Sequence, residues 1–162
     1  MTLKNATGAA AVLERDAQQG AIRFNSSGQV EQKVYFASGF TQYRPYKIGP
    51  TAAASTSPAG SAASTEADAV YSIGIPQGDT TTDAGWYWVV IQGVCQALVD
   101  GTTDVANGAF LEVLNAGTGF VLDHATAPTV NAMAIAREAV TADENTEAEV
   151  YLIGGRVPIA AS

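Results

Sequence analysis

Residues 85–97 read GWYWVVIQGVCQA, and this stretch decides the fold. It is filled with aromatic and β-branched side chains, the types that suit a pleated, half-buried surface. Neighbouring side chains on a strand point to opposite faces. Trp86 and Trp88 therefore share one face and Tyr87 takes the other. The tryptophans are expected to anchor a core, which leaves the Tyr87 face for a subunit interface, where aromatic residues are favoured.

Strand-like segments continue on both sides. Upstream, residues 69–75 (AVYSIGI) alternate Val, Ser, Gly against Tyr, Ile, Ile. Downstream, Asp100-Gly101 and Asn107-Gly108 are tight-turn signals. Residues 109–114 (AFLEVL), 119–122, 130–140 (VNAMAIAREAV) and 148–153 (AEVYLI) complete the set, with a glycine-rich turn at 115–119. Residues 131–140 also contain good helix formers; the turn-like 141–145 that follows favours a strand. Turn signals recur about every ten residues, the rhythm of a small sandwich or barrel. The predicted fold class is all-β.

The N-terminal third is less regular. Residues 20–25 and 29–36 are expected to pair as antiparallel strands around Asn25-Ser26-Ser27-Gly28. Residues 40–48 (FTQYRPYKI) set aromatics beside Arg44 and Lys47, with Pro45 holding the backbone extended or turning. This segment is expected to be an arm or contact patch, or else a loop whose rings tuck into the domain's own core. Phe40, Tyr43, Arg44, Tyr46 and Tyr87 are the candidate intersubunit contacts. Residues 51–68 are low in complexity and hold no large apolar side chain, so a loop or linker is expected there, mobile or laid over a neighbour. The organisation expected is an arm and strand pair over 1–50, a linker over 51–68, and a β-module over 69–162 that takes in part of 20–48.

Composition narrows the function. The 162 residues suit one domain, and 47% are hydrophobic. Only 15% are charged, against about 25% in an ordinary soluble protein. A surface of small, mostly neutral residues packs against a partner with little desolvation of full charges. The net charge of −8 and eight scattered basic residues disfavour nucleic acid and anionic membrane as partners. Cys95 is the one cysteine, so no internal disulfide forms. No apolar signal core or membrane-length stretch is present, and the chain is expected to be made in a cytoplasm.

Groups with chemistry are scattered. Asp123-His124 is the one acid–histidine neighbour pair, but strand neighbours diverge, and a polar, exposed turn is expected there. Cys95 sits in an apolar strand, where a thiol behaves as a small hydrophobe. Asp100, Asp104 and Asn107 lack the spacing of an EF-hand and suit hairpin turns better. Asp143, Glu144, Glu147 and Glu149 suit a solvated turn entering a strand. Gly154-Gly155 precedes no helix, and no nucleotide fingerprint is present. The chain is expected to be no enzyme and to take no cofactor or metal.

Residues 73–153 resemble the head decoration or capsid-cement proteins of tailed bacteriophages. The resemblance is carried by the order of elements: Gly74-Ile75-Pro76-Gln77, the aromatic strand over 85–94, the passage ALVDGTTDVANG at 97–108, FLEV at 110–113, the glycine turn at 116–119, AMAIAREAV at 132–140 and EVYLI at 149–153. It implies a β-barrel or β-tulip-like module, a homotrimer, and a place on the virion's capsid exterior. There it would clamp neighbouring subunits of the major capsid protein after shell expansion. Two alternatives stay open. One is another virion component from the tail, fibre or minor capsid. The other is a carbohydrate- or ligand-binding β-domain with Trp86, Trp88 and Tyr71 as stacking rings.

Overall fold

A computed structural model describes residues 20–53, 55, 57–62, 72–116, 119–124, 132–141 and 145–154. These residues contain ten strands and no α-helix: β1 Ile22–Phe24, β2 Val30–Phe36, β3 Tyr46–Gly49, β4 Ala59–Ala62, β5 Ser72–Pro76, β6 Gly85–Asp100, β7 Phe110–Ala116, β8 Gly119–His124, β9 Ala134–Ala136 and β10 Asn145–Leu152. The expectation of an all-β fold holds.

Nine of the strands close into two five-membered barrels that share β6, and β1 lies outside the rings, paired with β2. In the first, β6 pairs with β2 and with β5, β5 with β3, and β3 with β4. A parallel contact, Tyr35 opposite Ala59, joins β4 back to β2 and shuts the ring. In the second, the far half of β6 pairs with β10, β10 with β9, β9 with β7, and β7 with β8. Another parallel contact, Val99 opposite Leu122, returns β8 to β6. Closure removes the open edges of the nine ring strands, and among the described residues β1 pairs with β2 alone.

Both barrels follow one topology. With the strands counted along the chain inside each ring, the first meets the third in parallel and the fifth antiparallel. The second meets the third and fourth, and the fourth meets the fifth. Fine details repeat as well. The isolated bridge Phe40–Thr81 of the first ring has its counterpart in Val105–Val140 of the second. The Tyr43 amide donates to the Pro76 carbonyl at 2.9 Å, and the Gly108 amide to that of Ala136 at 2.8 Å. Tyr43 and Gly108 both hold positive φ, 62° and 86°. Glycine takes that conformation freely, whereas tyrosine must be held in it.

The two barrels are filled differently. The first encloses Val34, Phe36, Phe40, Ile48 and Val89, with Tyr46, Tyr87 and Ile91 against them. Phe36 makes edge-on or tilted contacts with Phe40, Tyr46 and Tyr87 at centroid distances of 5.4, 5.1 and 6.2 Å. Gly60 leaves it room, since a Cβ there would stand 2.5 Å from the Phe36 ring, and Gly74 does the same for Val89, which a Cβ would meet at 2.6 Å. The second barrel combines medium side chains, among them Val99, Leu111, Val113, Leu122, Val150 and Leu152, with Ala97, Ala134, Ala136 and Ala148. Ile73, Ile75 and Val90 point out of the first barrel and merge with this second cluster, so the two cores are welded together.

The joint lies at Gly93, whose φ of 107° turns β6 from one barrel into the other. Beyond it, β6 borrows hydrogen-bond partners from the first barrel. The Gln77 side chain both donates to the Gln96 carbonyl (3.0 Å) and accepts from the Gln96 amide (3.1 Å). The Leu98 amide donates to the Tyr43 carbonyl at 2.9 Å, and the Gln29 side-chain amide donates to the Val94 carbonyl. Buried backbone groups are thereby paired, as the cost of orphaning them demands.

Several sequence expectations are met and several change. The pairing of β1 with β2 around Asn25 is present, and Asn25 Oδ1 accepts from the Ser27 and Gln29 amides. Residues 134–136 form a short strand, not a helix. Within 51–68, residues 59–62 are strand β4 and complete a barrel, because a glycine there admits the Phe36 ring; residues 63–68 lie outside the described part. The two barrels meet inside β6, on either side of Gly93. The turns at 100–101 and 107–108 do not make a hairpin, since β6 and β7 are not partners. Asp100 instead caps a bend, accepting from the Thr102 amide and hydroxyl at 2.9 and 2.6 Å. Asp123 and His124 end β8 instead of lying in a turn.

Candidate interaction surfaces

The aromatic strand faces the opposite way to the sequence expectation. Tyr87 points inward, 5.0 Å from the Phe40 ring. Trp86 and Trp88 point outward, half-buried. The reason is the register with β2: Lys33 and Tyr35 sit opposite Trp88 and Trp86, while Val34 sits opposite Tyr87. Polarity on β2 therefore decides which face of β6 goes in.

Outside the first barrel this produces a compact group of side chains. The Arg23 guanidinium lies 4.0 Å over the Trp88 ring and Lys33 Nζ lies 5.2 Å from it. Tyr35 meets Trp86 edge-on at 5.6 Å. Arg23 is held by an ion pair to the nearly buried Glu31 at 2.5 Å, and Asn25 also donates to Glu31, at 3.1 Å. The Lys33 pKa is lowered, first by burial and then by the charge of Arg23. Arg23 covers the Trp88 face that a sugar ring would stack on.

The candidate contacts divide between core and surface. Phe40 is buried, and Tyr46 and Tyr87 pack on the first core. Tyr46 also accepts the Thr41 amide on its hydroxyl at 2.7 Å. Tyr43 and Arg44 are half-buried on the loop between β2 and β3, which touches the second barrel through the Tyr43 carbonyl. Tyr71 lies outside the described residues.

Among the described residues reactive groups are not brought together. Cys95 is buried, and its pKa is pushed up to about 12 by burial and, next, by the nearby Glu149; a thiol so held is not a nucleophile at neutral pH. Among the described residues no three His, Cys, Asp or Glu side chains group as metal ligands do. A hollow of about 220 Å³ over β3 and β4 is lined by Lys47, Gly49, Pro50, Thr51, Ala59 and Ser61, with no acid or histidine.

Two apolar patches escaped the sequence analysis. Ile22 and Phe24, on one face of β1, are 61% and 80% exposed. On the second barrel, Phe110 and Tyr151 both stand opposite Ile135, and together they make an outer row across β7, β9 and β10. Phe110 is 37% and Tyr151 39% exposed. Alternation could have flagged the row, since Tyr151 follows the inward Ala148 and Val150. Only the pairing order aligns it across three strands.

No family model matches the chain, and no match was found among curated proteins. Its fold is similar to that of a solved structure, the head fiber gp8.5 N base of bacteriophage phi29. The TM-score is 0.53 and the identity 13%, over 80% of this chain and 98% of that one. At this identity the likeness is one of fold.

Proposed function

We propose that the chain is a structural component of a tailed-phage head, sited on the capsid exterior, where it binds and clamps neighbouring major capsid subunits. The observation that carries this reading is the fold likeness to a phage head fiber base over nearly all of that protein's length. The surface chemistry supports it. Few charges must be desolvated on docking, the thiol is inert, and closed barrels keep their shape under contact. A shell-bound protein with several modest contacts gains affinity through multivalency. On this reading the protein acts as an oligomer, a trimer at three-fold positions, with Tyr43 and Arg44 among its contacts, and it performs no catalysis.

The same likeness favours a second reading, in which the two barrels are the foot of a head fibre. Electron microscopy of virions containing the chain separates the outcomes. Density over three-fold positions without a projection is the cement result, and density beneath a projecting fibre is the second reading. Density confined to the tail overturns both. A mass-spectrometric count of hundreds of copies per particle is expected, and a handful would contradict the cement reading.

A further inference from the structure

The repeated topology lets one barrel show what the other lacks. On the outside of the first barrel, Ile75 pairs with Val90 across β5 and β6, and both are fully buried in the joint core. The second barrel is what covers them. The corresponding outward pair on the second barrel is Ile135 and Tyr151, across β9 and β10, with Phe110 beside them. The correspondence is fixed by the shared hydrogen bonds to Pro76 and Ala136, one residue beyond Ile75 and Ile135. Here no third barrel follows among the described residues, and Phe110 and Tyr151 remain open.

The same comparison locates the complementary face. On the second barrel, the edge of β6 just before its parallel contact with β8 is held by the first barrel, through Gln77 and the Tyr43 carbonyl. On the first barrel, the equivalent edge of β2, before its parallel contact with β4, is held by β1. Thus β1 occupies the place where a preceding barrel would dock, and it carries Ile22 and Phe24 outward.

We propose that these patches join head to tail between two copies of this chain, the Phe110–Ile135–Tyr151 row of one against the β1 face of the next. The large hydrophobic side chains exposed among the described residues then all find cover in one contact. Their two faces differ, so the contact is heterologous, and it generates a closed ring or a chain of copies, not an isologous dimer. The inference rests on the internal repeat and is independent of any capsid.

The test uses the full chain with Phe24→Ser and Tyr151→Ser, followed by light scattering and sedimentation velocity. The wild type is expected to be oligomeric and each variant monomeric, with the circular dichroism spectrum unchanged and the melting temperature of the variants independent of protein concentration, unlike that of the wild type. Mixed in equal amounts, the two variants should form a one-to-one dimer, because each keeps the face the other has lost. A monomeric wild type, a variant that still assembles fully, or a mixture that stays monomeric overturns the proposal. Should Tyr151→Ser disturb folding, a photo-crosslinking residue at position 151 in the otherwise native chain must link to residues 22–24 of another copy. Cross-links only elsewhere overturn it equally.

Discussion

The fit between Phe36 and Gly60 can be measured as a coupling. A Cβ added at Gly60 would lie 2.5 and 2.6 Å from the Phe36 Cε1 and Cζ atoms, nearer than a folded core tolerates. Gly60→Ala alone should therefore cost about 1–3 kcal/mol by overpacking, reduced by roughly 0.5–1 kcal/mol because alanine restricts the unfolded chain. Phe36→Leu alone removes the contacts with Phe40, Tyr46 and Tyr87. At about 0.5–1.5 kcal/mol per ring pair, the loss is roughly 2–4 kcal/mol. Leucine has no atoms where Cε1 and Cζ lie, so the two closest clashes vanish in the double variant and only the 3.1 Å approach to the δ position is left. The cost of the double variant should then fall short of the sum of the two single costs by about 1–3 kcal/mol. Urea denaturation of the four proteins, compared at equal slope, reads this directly. Additivity within about 0.5 kcal/mol would show that the two sites do not touch and would refute the packing argument.

Other perturbations probe the remaining features. Gly39→Ala combines a φ of 70° with a Cβ only 2.0 Å from the Thr81 carbonyl oxygen; it should lower stability by more than about 2 kcal/mol, whereas Gly28→Ala, at φ 75° in open space, should cost only about 1 kcal/mol. Comparing their denaturation midpoints isolates the clash. The Cys95 thiol should resist aromatic disulfide reagents in the native protein and react at once on unfolding. Its folded pKa is raised from 9.0 to about 12, so the unfolded chain ionises first; stability should hold below pH 9 and decline as pH climbs toward 12, more than in Cys95→Ala. Gln77→Ala strips partners from the Gln96 amide and carbonyl and should cost about 1–3 kcal/mol, with faster hydrogen exchange at the Gln96 amide.

The strands were legible where side chains alternate or turns are punctuated, as at residues 29–36 and 85–97. The orientation of β6 was not, because Trp86, Tyr87 and Trp88 are all aromatic and equally fit to be buried. Only the partner strand, with Lys33 and Tyr35 on one side and Val34 on the other, breaks the tie. Strand β4 was hidden for a different reason. Ala59, Gly60 and Ser61 have no propensity to form a sheet, and their place is dictated by the Phe36 ring across the barrel. The internal repeat left no trace in the letters. Phe40 answers to Val105, Tyr43 to Gly108 and Pro76 to Ala136, so the backbone pattern is shared while the side chains are not. The exposed row on the second barrel became visible only through that shared pattern.

A strand passing unbroken through two barrels also has a mechanical meaning. Had residues 85–100 been two strands joined by a tether, each barrel could swivel and absorb a pull by slack. Here the axis is one continuous stave, pinned on either side of Gly93 and glued by Ile73, Ile75 and Val90. A load taken up by one barrel is therefore expected to pass to the other through covalent strand and shared core, with no slack between them.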